Sequence, residues 1–296
     1  MAGAEQAFRF AQFEYPWPLG PPAGRYVLRE PGASAPARVL VLATLGAPER
    51  RLLRGRRPRA AEAEPGPAPV TTTRATLIDA APVPAGDAAA WLAGLDAPGA
   101  AAALGDALRA LNAALHAHAV AAEDARVREA DHESALVARV GWGRGEQVAE
   151  GRWAEARELP FRAARRRRAE TLRPQERLAA ILGGRDHPLP AEALALRARS
   201  DLRQGRPREA ALQLRVALEA AIADLERADG SLGLGERLAQ LREQRASVGE
   251  AANRALAGDL PVETVASVED SLARVEAALR VRGLAVLDEV QSRAGA

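Results

Sequence analysis

The residue types best suited to chemistry in this chain are arginine and histidine. Arg165, Arg166, Arg167 and Arg168 form one run, flanked by Arg162 and Arg173. Arg50, Arg51, Arg54, Arg56, Arg57 and Arg59 form another. Guanidinium groups hold phosphates through paired hydrogen bonds, and clustered cations gain further from counterion release. Both runs therefore offer polyanion binding, with an RNA or DNA backbone as the ligand. A plainer origin competes with that chemistry. The chain has no lysine, so all 41 basic residues are arginine and every solvated cation has to be one. Glu155, Glu158, Glu170 and Glu176 stand near the 165–168 run, and the net charge is only +2. No aromatic-rich RNA-recognition motif, zinc finger or KH-type loop accompanies the clusters.

His116 and His118 lie in LHAHA, and Asp131-His132-Glu133 follows. These are metal-capable types. Residues two apart on a helix point in nearly opposite directions, so His116 and His118 share a metal only if they sit on a strand. His118 also continues the stripe of Leu111 and Leu115, the place of a hydrogen-bonded core histidine. A metal-dependent hydrolase or ribonuclease around His116, His118 and His132 is the enzymatic alternative. The spacing of Arg126 and His132 resembles that of HEPN-type ribonucleases, and the resemblance implies RNA cleavage by that pair.

Other chemistries find less footing. GWGRGE, residues 141–146, is glycine-rich, but a phosphate cradle needs a following helix, and a strand is expected there. A hairpin turn is the better reading. No serine has a GxSxG setting. With no cysteine there is no thiol nucleophile, iron–sulfur cluster or Cys-ligated zinc. Without lysine there is no Walker A motif and no Schiff base. No cofactor is implied.

The elements that must position these residues divide by pattern. Phe8, Phe10, Phe13, Tyr15 and Trp17 are five of the ten aromatics, and they fall on both faces of one strand. Such a strand is buried on both sides or carries a bulge near Gln12. The N-terminal cluster reads as sheet core, with an exposed docking patch as the alternative. Arg25–Arg29, Arg38–Leu45 and Val70–Asp79 read as further strands. Residues 47–69 form an Arg- and Pro-rich excursion. A short helix containing Trp91 follows Asp87 and ends at Ala97-Pro98-Gly99. A helix over Ala101–Ala122 carries Leu104, Leu108, Leu111 and Leu115 and runs on weakly toward Ala130. A meander is expected from Ala135, with Leu136, Val140 and Trp142 on one face.

The remainder is helical: Pro174–Leu182, a hairpin turning at Gly205, Gly235–Leu256 and Pro261–Arg282. Leu194, Leu202, Leu212, Val216, Leu218, Ile222 and Leu225 supply the hairpin's apolar spacing, and Val265, Val268, Leu272, Val275 and Leu279 a later seam. Leu284, Val286, Leu287 and Val290 form a tail that docks back. Gly205, Ala210, Ala217 and Leu218 match the spacing of a tetratricopeptide unit, which the hairpin resembles over roughly 34 residues. Ile222 stands where that pattern has a helix-ending proline, and no second copy follows. The resemblance implies helix-hairpin packing.

The expected fold is α+β: a small mixed or antiparallel N-terminal sheet with one or two helices over 1–160, a basic linker over 161–173, and an antiparallel helical bundle over 174–296. The expected function is that of a non-catalytic cytoplasmic interaction or scaffold protein. Its partner is another protein or a second copy, with no membrane involved. The absence of an early apolar stretch and of a long uncharged one carries the localisation. The first alternative is a nucleic-acid accessory protein using Arg54, Arg56, Arg57, Arg59 and Arg165 to Arg168.

Overall fold

The computed structural model describes residues 5–30, 32–46, 71–159, 173–232 and 234–294. The fold is α+β. The chain divides into two compact units, Met1–Arg162 and Ala163–Ala296.

Seven strands build the first unit: β1 (Gln6–Tyr15), β2 (Gly24–Leu28), β3 (Arg38–Leu45), β4 (Thr72–Asp79), β5 (Val83–Pro84), β6 (Val137–Gly143) and β7 (Glu155–Glu158). They form one antiparallel sheet in the order β2-β3-β4-β1-β6-β7, with β5 paired to the start of β1. The aromatic strand is the central one. Phe13 faces Ala75 on one side and Ala138 on the other. Its register with β6 runs unbroken from Phe8↔Gly143 to Glu14↔Val137, so there is no bulge at Gln12. Instead both faces are covered. Phe13 and Tyr15 pack into the larger cluster with Leu40 and Leu77, and Phe10 packs on the opposite face with Val41, Ile78 and Val148. Scarce aromatics go where a strand buries area on both sides.

Among the described residues three helices accompany the sheet: α1 (Ala85–Gly94), α2 (Ala97–Ala121) and α3 (Gly145–Ala149). Ala97-Pro98-Gly99 does not end α1 but opens α2. Asp96 caps that helix by accepting from the Gly99 N–H at 2.8 Å, and proline suits a first turn whose N–H groups lack partners. Leu104, Leu111 and Leu115 of α2 are buried against the sheet. The helix stops at Ala121 rather than running on, because Glu123 takes a left-handed conformation at φ +52°. Asn112, fully buried, then holds the returning chain: its amide donates to the Ala130 carbonyl and accepts from the Ala130 N–H, both at 2.8 Å. Leu136 is exposed and precedes β6, whose inward positions are Ala138 and Val140. Gly143-Arg144-Gly145 is not a hairpin turn; α3 is inserted before β7.

The second unit contains α4 (Pro174–Leu182), α5 (Pro190–Arg203), α6 (Pro207–Leu232), α7 (Gly235–Glu243), α8 (Arg245–Ala257) and α9 (Val262–Ala294). The α5–α6 turn is made at Gly205, which sits at φ +72° where a side chain would be strained. Alanines 191, 195 and 198 of α5 meet Ala210, Ala217 and Ala221 of α6 in one buried cluster, allowing close approach. Leu214, Leu218, Ile222 and Leu225 complete the buried stripe, whereas Val216 is exposed. The expected Gly235–Leu256 helix is two helices. The Gln244 N–H bonds three residues back to Leu241, a tighter turn than the α-helical one, and α8 restarts at Arg245. The expected tail is not separate either: α9 continues through Gly283, with Leu287 buried on the same helix.

Candidate functional site

The second unit holds a polar clasp that fastens α4, α5 and α9. Asp186, in the loop between α4 and α5, has a fully buried carboxylate. It accepts from Arg282 of α9 at 2.6 Å, from Arg177 of α4 at 3.2 Å and from the His187 backbone N–H at 2.8 Å. Arg177 also donates to Glu192 at 2.5 Å. The other oxygen of Glu192 accepts the Leu189 N–H at 2.9 Å, so the same carboxylate caps α5. Farther along, Arg199 of α5 meets Glu276 of α9 through two 2.9 Å bonds, the forked geometry peculiar to arginine. Arg173 bridges Glu176 and Asp288 at the start of α4.

Burial by itself would raise the Asp186 pKa. The His187 N–H and the Arg282 and Arg177 guanidinium groups outweigh it and hold the carboxyl below its ordinary range. Arg199 is held above the ordinary arginine value, first by its bond to Glu276, against a smaller effect of burial. Asp186 and Arg199 are therefore held in their charged forms, and the guanidinium donors are directed at the carboxylates. That is an arrangement for locking helices.

A groove of about 620 Å³ lies along this clasp between α4, α5 and α9. Each helix contributes a stripe at helical spacing: Arg177, Leu178 and Ile181 from α4, Ala193, Leu196 and Arg203 from α5, Leu279, Arg280 and Leu284 from α9. Leu178 is 55% exposed and Leu196 70%; Leu182, one turn beyond Leu178 at the end of α4, is 78% exposed. On α5, Ala191, Ala195 and Ala198 are buried with Leu194 and Leu202 packed beside them, while Leu196 stands on the outer face. Four arginines and two glutamates line the groove, a surplus of two positive charges. Both glutamates are engaged by Arg177 and Arg199. Arg203 and Arg280 have no acidic partner among the described residues.

Arg54, Arg56, Arg57, Arg59 and Arg165 to Arg168 lie outside the described residues, as do the 47–69 excursion and nearly all of the basic linker. His116 and His118 are on α2, where two-residue spacing points them apart; His116 is exposed and His118 half-buried. His118 packs beside Gly20, whose φ of +114° and close ring contact admit no side chain. Among the described residues no three His, Asp or Glu side chains gather to hold a metal ion. His132 is half-buried in the 122–136 connection. That connection is held by the Tyr15 hydroxyl, which donates to the Asp131 carbonyl at 3.2 Å, and by Arg128 stacked 4.5 Å over Trp17. Arg126 points outward and pairs with Asp124 at 2.9 Å. A helix does follow the 141–145 glycines, contrary to expectation, but Glu146 in its first turn carries its own negative charge and pairs with Arg25 at 2.5 Å.

The sequence reading passed over the clasp and the groove. Asp186, Glu192 and Arg282 are separated by up to 96 residues, and no local spacing links them. The i, i+4 pair Leu178 and Leu182 is the signal that could have drawn attention.

No family model, curated protein or solved structure matches the chain. No described helix is long and apolar enough to cross a membrane.

Proposed function

We propose that this is a non-catalytic cytoplasmic interaction protein. In this reading a helical bundle follows the N-terminal sheet and presents the α4–α5–α9 groove as its binding face. One observation carries the proposal: Leu178 and Leu196, 55% and 70% exposed, line a groove of about 620 Å³. Contiguous exposed leucine with a polar rim is the pattern of a protein-binding surface. The clasp beneath supports it, because a docking face works best when its helices are held in place before the partner arrives. Most of the groove's charges are already paired, which fits recognition and not turnover.

The test is site-specific photo-crosslinking in extract of the source cells. A photoreactive residue at position 196 is expected to form a discrete adduct that excess unlabelled protein competes away. The same residue at the exposed Val216 on α6 is expected to form none. Equal labelling from both positions, or none from either, would overturn the proposal.

A further inference from the structure

We propose that the groove takes an amphipathic helix with leucine-type residues on one face and carboxylates beside them. This inference rests on the groove being a binding face, and it assigns the chemistry of the occupant.

Shape is the first argument. Three helices border the groove, each with its stripe along one side. The α5 stripe extends from Ala193 to Arg203, about 15 Å at the α-helical rise. A partner helix of about three turns spans that length. It would complete a fourth side and cover the exposed leucines through residues at i, i+3, i+4 and i+7. A helix satisfies its own backbone hydrogen bonds, which an apolar floor cannot do for an extended peptide.

Charge is the second argument and selects the occupant. The lining carries four arginines and two glutamates. Arg177 and Arg199 are spent on Glu192 and Glu276. Arg203 near the end of α5 and Arg280 on α9 lack an acidic partner among the described residues. An acidic flank on the incoming helix would meet both. A helix flanked by lysine or arginine would be repelled by both, so these two residues exclude partners as well as attract them. The chain's own basic stretch carries Arg162, Arg165 to Arg168 and Arg173 against Glu170, so the same repulsion argues against it as occupant.

The experiment uses the full chain and two fluorescein-labelled 14-residue helical probes. Both carry leucine at i, i+3, i+4 and i+7; one has glutamate on its flanks and the other lysine. Fluorescence anisotropy is read for the native protein, for Leu196→Asp, and for Arg203→Glu combined with Arg280→Glu. Helical circular dichroism confirms that each variant folds. The glutamate probe is expected to bind, and to bind at least about tenfold more tightly than the lysine probe, as two to four exposed charge pairs allow. Leu196→Asp should abolish binding of both probes. The double arginine variant should reverse the preference. Equal binding of both probes, lost in Leu196→Asp, would overturn the acidic assignment and leave the binding face standing. Binding of neither probe, or binding indifferent to Leu196→Asp, would overturn both. A sedimentation shift from dimer to monomer on Leu196→Asp would show a second copy as the occupant and overturn the inference alone.

Discussion

Arg282 Nη1 lies 2.6 Å from Asp186 Oδ1, and the two side chains are 7% and 0% exposed. The pair joins α9 to the loop entering α5 across 96 residues of sequence. Its partners are unequal in how much support they keep if the other is lost. Asp186 would retain Arg177 and the His187 N–H. Arg282 would retain no acidic partner among the described residues.

That inequality predicts the order of two substitutions. Asp186→Ala leaves a buried guanidinium unpaired and should cost about 3–5 kcal/mol, while Arg282→Met, which leaves Asp186 still bonded, should cost less. Urea titration followed by far-ultraviolet circular dichroism measures both. Equal losses would mean that Arg177 does not support Asp186.

The same site sets a response to acid. The folded state holds Asp186 below the ordinary carboxyl value of 3.8, so the unfolded chain takes up a proton first as pH falls. The stabilisation is fully present above about 4 and is lost as pH falls through the lowered folded value. Asp186→Asn should flatten the stability profile of the helical unit below pH about 4, leaving it unchanged in shape at neutral pH. A profile identical to that of the native chain would exclude the site as its source.

His132 predicts a second window, in the sheet unit. Burial lowers its pKa from 6.5, against smaller opposing effects of Glu133 and Asp131. The folded state therefore favours the neutral ring. Stability from this group is present above about pH 6.5 and declines as pH falls, because the unfolded chain protonates first. Nuclear magnetic resonance should find the His132 ring titrating below 6.5 and the His132→Asn variant less sensitive to acid between pH 7 and 5. A ring titrating above 6.5 would reverse the sign.

Two glycines should answer alanine in opposite directions. At Gly141 of β6 a Cβ would come 2.8 Å from the Ala156 Cα of β7, and backbone cannot move aside cheaply. Gly141→Ala should cost about 1–3 kcal/mol. At Gly249, inside α8, nothing lies within 4 Å of the new atom. Gly249→Ala should stabilise by about 0.5–1 kcal/mol through helix propensity. Thermal melts of the two variants should move apart from the native curve on either side.

Leucines separate the core from the groove. Leu214 is fully buried, and Leu214→Ala should cost about 2–5 kcal/mol. Leu196→Ala should stay within about 0.5 kcal/mol, since the side chain is mostly in water. If Leu196→Ala destabilised the chain comparably, the leucine would belong to the fold and not to a docking face.

Local pattern was sufficient for much of the architecture. Arg38–Leu45 is β3 residue for residue, because β-branched and leucine side chains crowd a stretch bounded by turn-formers. Pro174–Leu182 is α4, bounded by a proline at its start and two glycines at its end. Of the expected seam, Val268, Leu272, Val275 and Leu279 are buried on α9, while Val265 at its start is half-buried. What local pattern misjudged depended on neighbours. Ala97-Pro98-Gly99 reads equally as a stop or a start, and the Asp96 cap decides for a start. Val216 keeps helical spacing with its neighbours, yet it is Leu214 that α6 buries, and Val216 stays exposed. Composition by itself determined the absence of thiol and amine chemistry, since a chain without cysteine or lysine cannot perform it. Only the tertiary structure decided that Asp186 meets Arg177 and Arg282, and that Leu178 of α4 and Leu196 of α5 are left largely in water along a groove. Helix periodicity states which residues share a face, but not which face another helix will cover.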